Sequence, residues 1–170
     1  MNNRHAVIDT AIGRLTICAA DDAVSGLYFP RHWYLPTAEF LGAPTTIEDD
    51  PLLATAAAQL REYLDGTRTT FDLPMATFGD PFQEQVWAIL KEIPFGQTIT
   101  YGEIAQKLGN RALAQNVGQA VGHNPLSIFI PCHRVVGKDG KLTGYAGGLE
   151  RKQFLLDLEA PAEVKAGRLF

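Results

Sequence analysis

Cys132 and His133 are adjacent in the run Ile130-Pro131-Cys132-His133-Arg134-Val135. A thiol near an imidazole is the smallest set that can do thiolate chemistry. The thiolate is the nucleophile, and a cysteine at its ordinary pKa is only a few per cent ionised at neutral pH, so a base or a cation must help. A third group usually orients the base, most often a carboxylate. A Cys-His pair is weak by itself, because an isolated histidine is more often a packed core residue. Its setting here gives it weight. Asn124-Pro125 and the apolar run from Leu126 to Ile130 lead into it. The turn Gly144-Tyr145-Ala146-Gly147-Gly148 follows.

The elements that must position this pair can be read in order. Arg4 to Thr10, Arg14 to Ala19 and Val24 to Phe29 alternate as strands of a small antiparallel sheet. Pro30 to Pro51 has no period and reads as a connecting loop. Asp50 and Pro51 start a helix that runs to Leu64 and stops at Gly66. Its inner side holds Leu52, Leu53, Ala56, Leu60, Tyr63 and Leu64. Thr69 to Leu73 is a candidate short strand, and Leu73 to Gly79 a junction. Asp80 caps a helix from Pro81 to Ile93, with Trp87 in its core. Thr100 and Glu103 form a capping box that opens the next helix. Gly109 ends it, and Ala112 to His123 reads as another. Two short helices across a tight turn make a helix-turn-helix pattern. Leu126 to Pro131 reads as buried and extended, Lys138 to Lys141 as a polar turn, and Leu149 to Glu159 as a last helix with Phe154, Leu155 and Leu158 inward. The tail from Ala160 reads as loosely held. The fold class is therefore α+β: a small α/β N-terminal domain over 1–79, then a mainly helical domain over 80–170.

Composition bounds the function. No apolar run is long enough to span a membrane, and no secretory pattern opens the chain. Two cysteines, Cys18 and Cys132, do not make a disulfide framework, and a thiol nucleophile suits a reducing compartment, the cytoplasm. Cys18 reads as a small half-buried hydrophobe. His5, His32 and Cys18 lack the paired spacing of a four-ligand zinc site, so no metal and no cofactor are expected. Residues 1–79 carry five basic and ten acidic side chains, whereas residues 80–160 carry eight of each. The acidity lies in the first half. The neutral second half predicts weak, salt-sensitive contact with any nucleic acid.

The sequence resembles the O6-alkylguanine-DNA alkyltransferases. The resemblance rests on Pro131-Cys132-His133-Arg134-Val135, Thr100-Tyr101-Gly102-Glu103-Ile104-Ala105, Val117-Gly118, Gly122-His123-Asn124-Pro125, and Lys141 through Leu149. It runs without gaps from about Phe82 to Glu159. It implies a protein, expected as a monomer, that flips O6-alkylguanine out of double-stranded DNA and takes the alkyl group irreversibly onto its own cysteine, with O4-alkylthymine a further candidate substrate. In this frame Cys132 is the nucleophile. Neighbours in an extended segment point apart, so the two side chains are not expected to touch, and the resemblance implies a relay from Glu159 through His133 and a water to Cys132. Asn124 braces the network. Tyr101 reaches the guanine ring, and the carbonyls of Val135 and Cys132 accept from its amino group. Tyr145 flanks the base, the amide of Ala146 lies near the alkylated oxygen, and Gly147 keeps the wall low. Ser127 stands where many relatives have proline, which predicts a wider pocket mouth. The DNA-facing set is Asn110, Arg111, Leu113, Ala114, Gln115 and Gly118.

At Gln115 the resemblance places an arginine that fills the space left by the flipped nucleotide. Glutamine keeps a donor and an acceptor but loses the cation. Arg111, four residues earlier, is expected to contact a phosphate. Two other readings compete. A lesion-binding relative of alkyltransferase-like type would lack the cysteine. A thiol hydrolase using Cys132, His133 and Glu159 would need an oxyanion hole that the sequence does not show.

Overall fold

The computed structural model of the chain describes residues 1–161. The tail expectation falls mostly on residues outside that range. The described residues form two compact units. One comprises Met1–Phe78 with Pro125–Phe129, the other Gly79–Asn124 with the described residues from Ile130 on. The sequence division at 79/80 thus misses one feature, a short stretch of the second half that clusters with the first unit.

In the first unit, β1 (Asn3–Thr10), β2 (Gly13–Ala20) and β3 (Ala23–Tyr28) form an antiparallel meander. The expected loop over 30–51 contains a one-turn helix, α1 (Ala38–Leu41), and a two-residue strand, β4 (Ala43–Pro44). β4 pairs parallel to β1 at Arg4 and His5, giving the order β3-β2-β1-β4. Gly42 makes this possible. Its φ of 65° is left-handed, and a Cβ there would land on the Asn3 carbonyl. The strand expected over Thr69 to Leu73 is absent. A single parallel bridge joins Met75 to Val24 instead, and Pro74, with no N–H of its own, serves as acceptor for Val24 N.

α2 (Pro51–Leu64) lies on the sheet and buries Leu53, Ala56, Leu60, Tyr63 and Leu64. Asp50 caps it by accepting from Leu53 N at 3.2 Å and also takes the Arg4 guanidinium, which holds its carboxyl below the usual range. Pro125–Phe129 joins this unit through a Leu126–Leu27 bridge and an edge-on contact of Phe129 with Phe71. The segment is not extended throughout. Ile128 has φ of 73°, a costly conformation for a β-branched side chain, and Phe129 N closes a tight turn onto Ser127 O at 2.9 Å.

In the second unit, α3 (Pro81–Lys91) starts at a complete capping box of Asp80 and Gln83. Trp87 is buried, and its indole N–H donates to Ala120 O at 2.8 Å. β5 (Ile99–Thr100) leads straight into α4 (Tyr101–Lys107), capped by Thr100. The second helix of the motif is shorter than expected. Asn110 caps a 3-10 turn over Arg111–Leu113, and α5 (Ala114–Gly122) follows, packed on α3 and α4. β6 (Val135–Val136) pairs parallel with β5. In α6 (Leu149–Glu159) the buried stripe is Lys152, Leu155 and Glu159, while Phe154 is 40% exposed, against expectation. No helix of the described residues is long and apolar enough to cross a membrane.

Candidate active site

Cys132, His133 and Arg134 form one 3-10 turn rather than an extended segment, so successive side chains fan out around the turn instead of alternating. Cys132 N donates to Ile130 O at 2.7 Å, and Val135 N donates back to the Cys132 carbonyl. Asn124, buried after α5, donates from Nδ2 to the same Ile130 O at 2.9 Å. The asparagine therefore ties the end of α5 to the residue that enters the cysteine turn.

Glu159 is the hub. Its Oε2 stands 2.7 Å from His133 Nε2 and accepts from Arg134 Nη2 at 2.9 Å. Its Oε1 accepts from Arg134 Nε at 2.8 Å and from Gly96 N at 3.3 Å. Arg134 Nη1 also donates to Ile93 O at 2.6 Å. All three side chains are buried. A carboxylate can only accept, so Nε2 carries the proton and Nδ1 is the basic nitrogen of His133. The guanidinium already balances the carboxylate, and a protonated imidazole would add an uncompensated buried charge. Desolvation therefore holds His133 below its ordinary pKa. Glu159 pulls in the opposite direction, and Arg134 and Lys152 push further down. The imidazole is neutral at neutral pH and able to act as a base.

Lys152 was missed by the sequence reading. It is fully buried on α6, and Nζ donates to Thr143 O at 3.2 Å. Burial pulls its pKa down to about 8, while the Cys132 charge acts to raise it. The lysine therefore lies within electrostatic reach of the thiol. One signal was available, since Lys152, Leu155 and Glu159 share a helical stripe. In the sequence Arg134 stands out only as part of the Pro-Cys-His-Arg-Val motif, although it holds Glu159 with a bidentate fork.

Tyr101 opens α4, and its hydroxyl lies 3.0 Å from Thr143 Oγ1. Burial raises its pKa, the Thr143 bond lowers it, and the Cys132 charge raises it, which places the phenol near the thiol. Tyr145, Ala146 and Gly147 are buried in the turn that Gly148 N closes onto Tyr145 O at 2.9 Å. Val135 sits at the start of β6, paired with Ile99. Gly118 faces the Tyr101 ring, but a Cβ there would sit at an ordinary 3.8 Å, so this approach does not require glycine.

Gln115 is exposed near the start of α5. Leu113 and Ala114 are partly exposed, and Asn110 Oδ1 is spent on Ala112 N. Arg111 folds back beside Gly102 and donates to Gln106 Oε1, which directs it along α4 instead of outward. Ser127 is fully buried in the segment grouped with the first unit. A side chain without exposure does not itself form a rim. Among the described residues no group of three His, Cys, Asp or Glu side chains could hold a metal.

Comparison with known proteins covers both units. The profile of the 6-O-methylguanine DNA methyltransferase ribonuclease-like domain matches residues 3–77, and that of the DNA binding domain of the same family matches 81–161. The chain is 43% identical over 155 residues to a methylated-DNA–protein-cysteine methyltransferase of Mycolicibacterium paratuberculosis, covering 91% of each. It is 40% identical over 158 residues to the constitutive enzyme of that name from Bacillus subtilis, covering 92% of this chain and 95% of the relative. A crystal structure of Mycobacterium tuberculosis OGT in complex with DNA matches with a TM-score of 0.82 at 38% identity, over 95% of this chain and 97% of that one.

Proposed function

The chain belongs to the 6-O-methylguanine DNA methyltransferase family, and from that membership we propose how its own residues carry out the reaction. The protein is a DNA repair protein that transfers the alkyl group of O6-alkylguanine in DNA to its own Cys132. His133 Nδ1 takes the thiol proton through a bridging water. Glu159 fixes the tautomer through Nε2, and Arg134 holds Glu159 in place with a two-pronged hydrogen bond. Lys152 lowers the cost of the thiolate. The thiolate forms a bond to the alkyl carbon, the bond from that carbon to O6 breaks, and the electron pair passes into the purine. Tyr101 donates its proton to a ring nitrogen of the leaving base. The thioether is stable, so each molecule acts once.

The observation that carries this reading is the buried Glu159 shared by His133 and Arg134 beside Cys132. A solvated carboxylate at a helix end would have no such set of donors. Asn124 braces the turn, the Tyr145-Ala146-Gly147 segment walls the base, and the Val135 and Cys132 carbonyls accept from its amino group. Duplex DNA is the partner, met by the protein as a monomer, and the cytoplasm keeps the thiols reduced. α5 enters the duplex with Gln115 at its tip, a weaker wedge than a cation, while the chemistry behind it stays intact.

Stoichiometry tests the whole scheme. Excess DNA containing O6-methylguanine should be demethylated until one methyl has been taken per protein, and the reaction should then stop. Continued turnover would mean a thiol hydrolase. Binding without loss of methyl from the DNA would mean a lesion-recognition protein.

A further inference from the structure

Thr143 is a loop residue with no catalytic group of its own, yet it touches two side chains that the Cys132 charge reaches. Its hydroxyl lies 3.0 Å from the Tyr101 hydroxyl, and its carbonyl accepts from Lys152 Nζ at 3.2 Å. The buried lysine anchors the backbone of an otherwise exposed residue. The backbone of Tyr101 is fixed independently, because it is the first residue of α4 after the Thr100 cap. The far end of the ring is where orientation is still open, and Thr143 is the partner found there.

Each hydroxyl can donate one proton and accept others. If Tyr101 donated to Thr143, its proton would point away from a base in the pocket. If Thr143 donates to Tyr101, the phenol proton is turned toward the base. A hydrogen bond donated to the phenolic oxygen also strengthens as negative charge develops there. We propose that Thr143 is a positioning residue for alkyl transfer: its hydroxyl donates to the Tyr101 oxygen, aims the phenol proton at the departing purine and stabilises the phenolate left behind. The inference rests on the reading of Tyr101 given under Proposed function. The S–C bond forms, the C–O6 bond breaks, the Tyr101 proton moves to the purine, and the phenolate recovers a proton from solvent at the exposed Thr143 edge.

The test is a double-mutant cycle in single-turnover transfer from a single-stranded oligonucleotide carrying O6-methylguanine, which removes duplex opening from the rate. Thr143→Val keeps the branched shape and deletes the hydroxyl, and should slow transfer roughly tenfold, the lower end for a bond to a charged group. Thr143→Ser restores the donor and should recover most of the rate. In a Tyr101→Phe background, itself slow, Thr143→Val should add nothing, because contacting groups that act as one unit are non-additive. A second readout separates leaving-group assistance from damage to the thiol. Iodide leaves without a proton, so reaction of Cys132 with iodoacetamide should proceed at the same rate in Thr143→Val. The proposal is overturned if Thr143→Val transfers at the parent rate, if serine fails to rescue, if the threonine effect persists in full without the phenol, or if iodoacetamide reactivity falls in parallel. If Tyr101→Phe alone reacts at the parent rate, the role given to Tyr101 under Proposed function fails, and this inference falls with it.

Discussion

Cys18 and Cys132 are both reduced and both buried, yet only one is built to react. Cys18 sits in β2 of the first unit, where desolvation alone pushes its pKa to about 12. The Tyr28 phenol of the same unit is raised by burial and further by the Cys18 charge. His32, in the same unit, is held down to about 4 by burial, and its Nδ1 is engaged by Phe29 N at 3.2 Å. For each of these groups burial is the largest cause of the shift, and it favours the neutral form. In the second unit, burial comes with partners: Arg134 and His133 on Glu159, and Lys152 near Cys132. Burial by itself silences a titratable side chain. Burial with a fixed cation and a fixed base is what makes a thiol into a nucleophile.

The largest break in that contrast is expected at the hub. Glu159→Gln removes the charge that balances Arg134 and leaves one acceptor oxygen where His133 and Arg134 share two. Transfer should slow by about a hundredfold or more, the range for loss of general base action. Stability in chemical denaturation should fall by about 3–5 kcal/mol, because a buried guanidinium is left unpaired. A variant with the parent transfer rate would show that Glu159 only supports the fold. Lys152→Met keeps the buried aliphatic stem and deletes the cation. Reaction of Cys132 with iodoacetamide at pH 7 should slow by roughly tenfold, one pKa unit of thiolate stabilisation. An unchanged rate would assign activation to His133 alone.

How much of this was legible in the sequence follows a physical divide. Caps were readable because donor and acceptor lie within four residues: Asp50 on Leu53 N, the Asp80–Gln83 box and Thr100 on Glu103 N all form as their residue types predict. The pairing of His133 with Glu159 came from motif resemblance, and no local rule links residues 26 positions apart. Lys152 and Arg134 are not legible as site residues, because basic side chains read as surface and only tertiary packing buries them. β4 was unreadable, since two residues carry no period and its pairing depends on Gly42 fitting against Asn3. Nothing in the type of Ile128 announces a left-handed backbone.

Acid should sharpen the comparison by affecting both units while leaving their roles distinct. His32 and His133 have folded pKa values below the ordinary 6.5. Between the folded and unfolded pKa the unfolded chain binds more protons, so stability is complete above about pH 6.5 and falls as pH drops below it. For His32 the window runs from 6.5 to about 4, worth about 3 kcal/mol at its lower end. His32→Asn should flatten this fall in denaturation midpoints measured from pH 7 to 4 without altering transfer at pH 7. A stability that rises on acidification would reverse the sign of the argument.

The smallest expected effect lies farthest from the thiol. Gln115→Arg should speed transfer from duplex DNA severalfold, while leaving the rate with free O6-benzylguanine unchanged, because a cation adds phosphate attraction without touching the chemistry. An unchanged ratio of the two rates would mean that another residue performs the insertion.

The most direct test of the contrast between the two thiols is a site-resolved mass spectrum of the intact protein after one exposure to DNA containing O6-methylguanine. The account predicts a single added methyl, found on the peptide bearing Cys132, with the Cys18 peptide unmodified in the same sample. A methyl on Cys18, or an unmodified Cys132 peptide after the DNA has lost its methyl group, would contradict it.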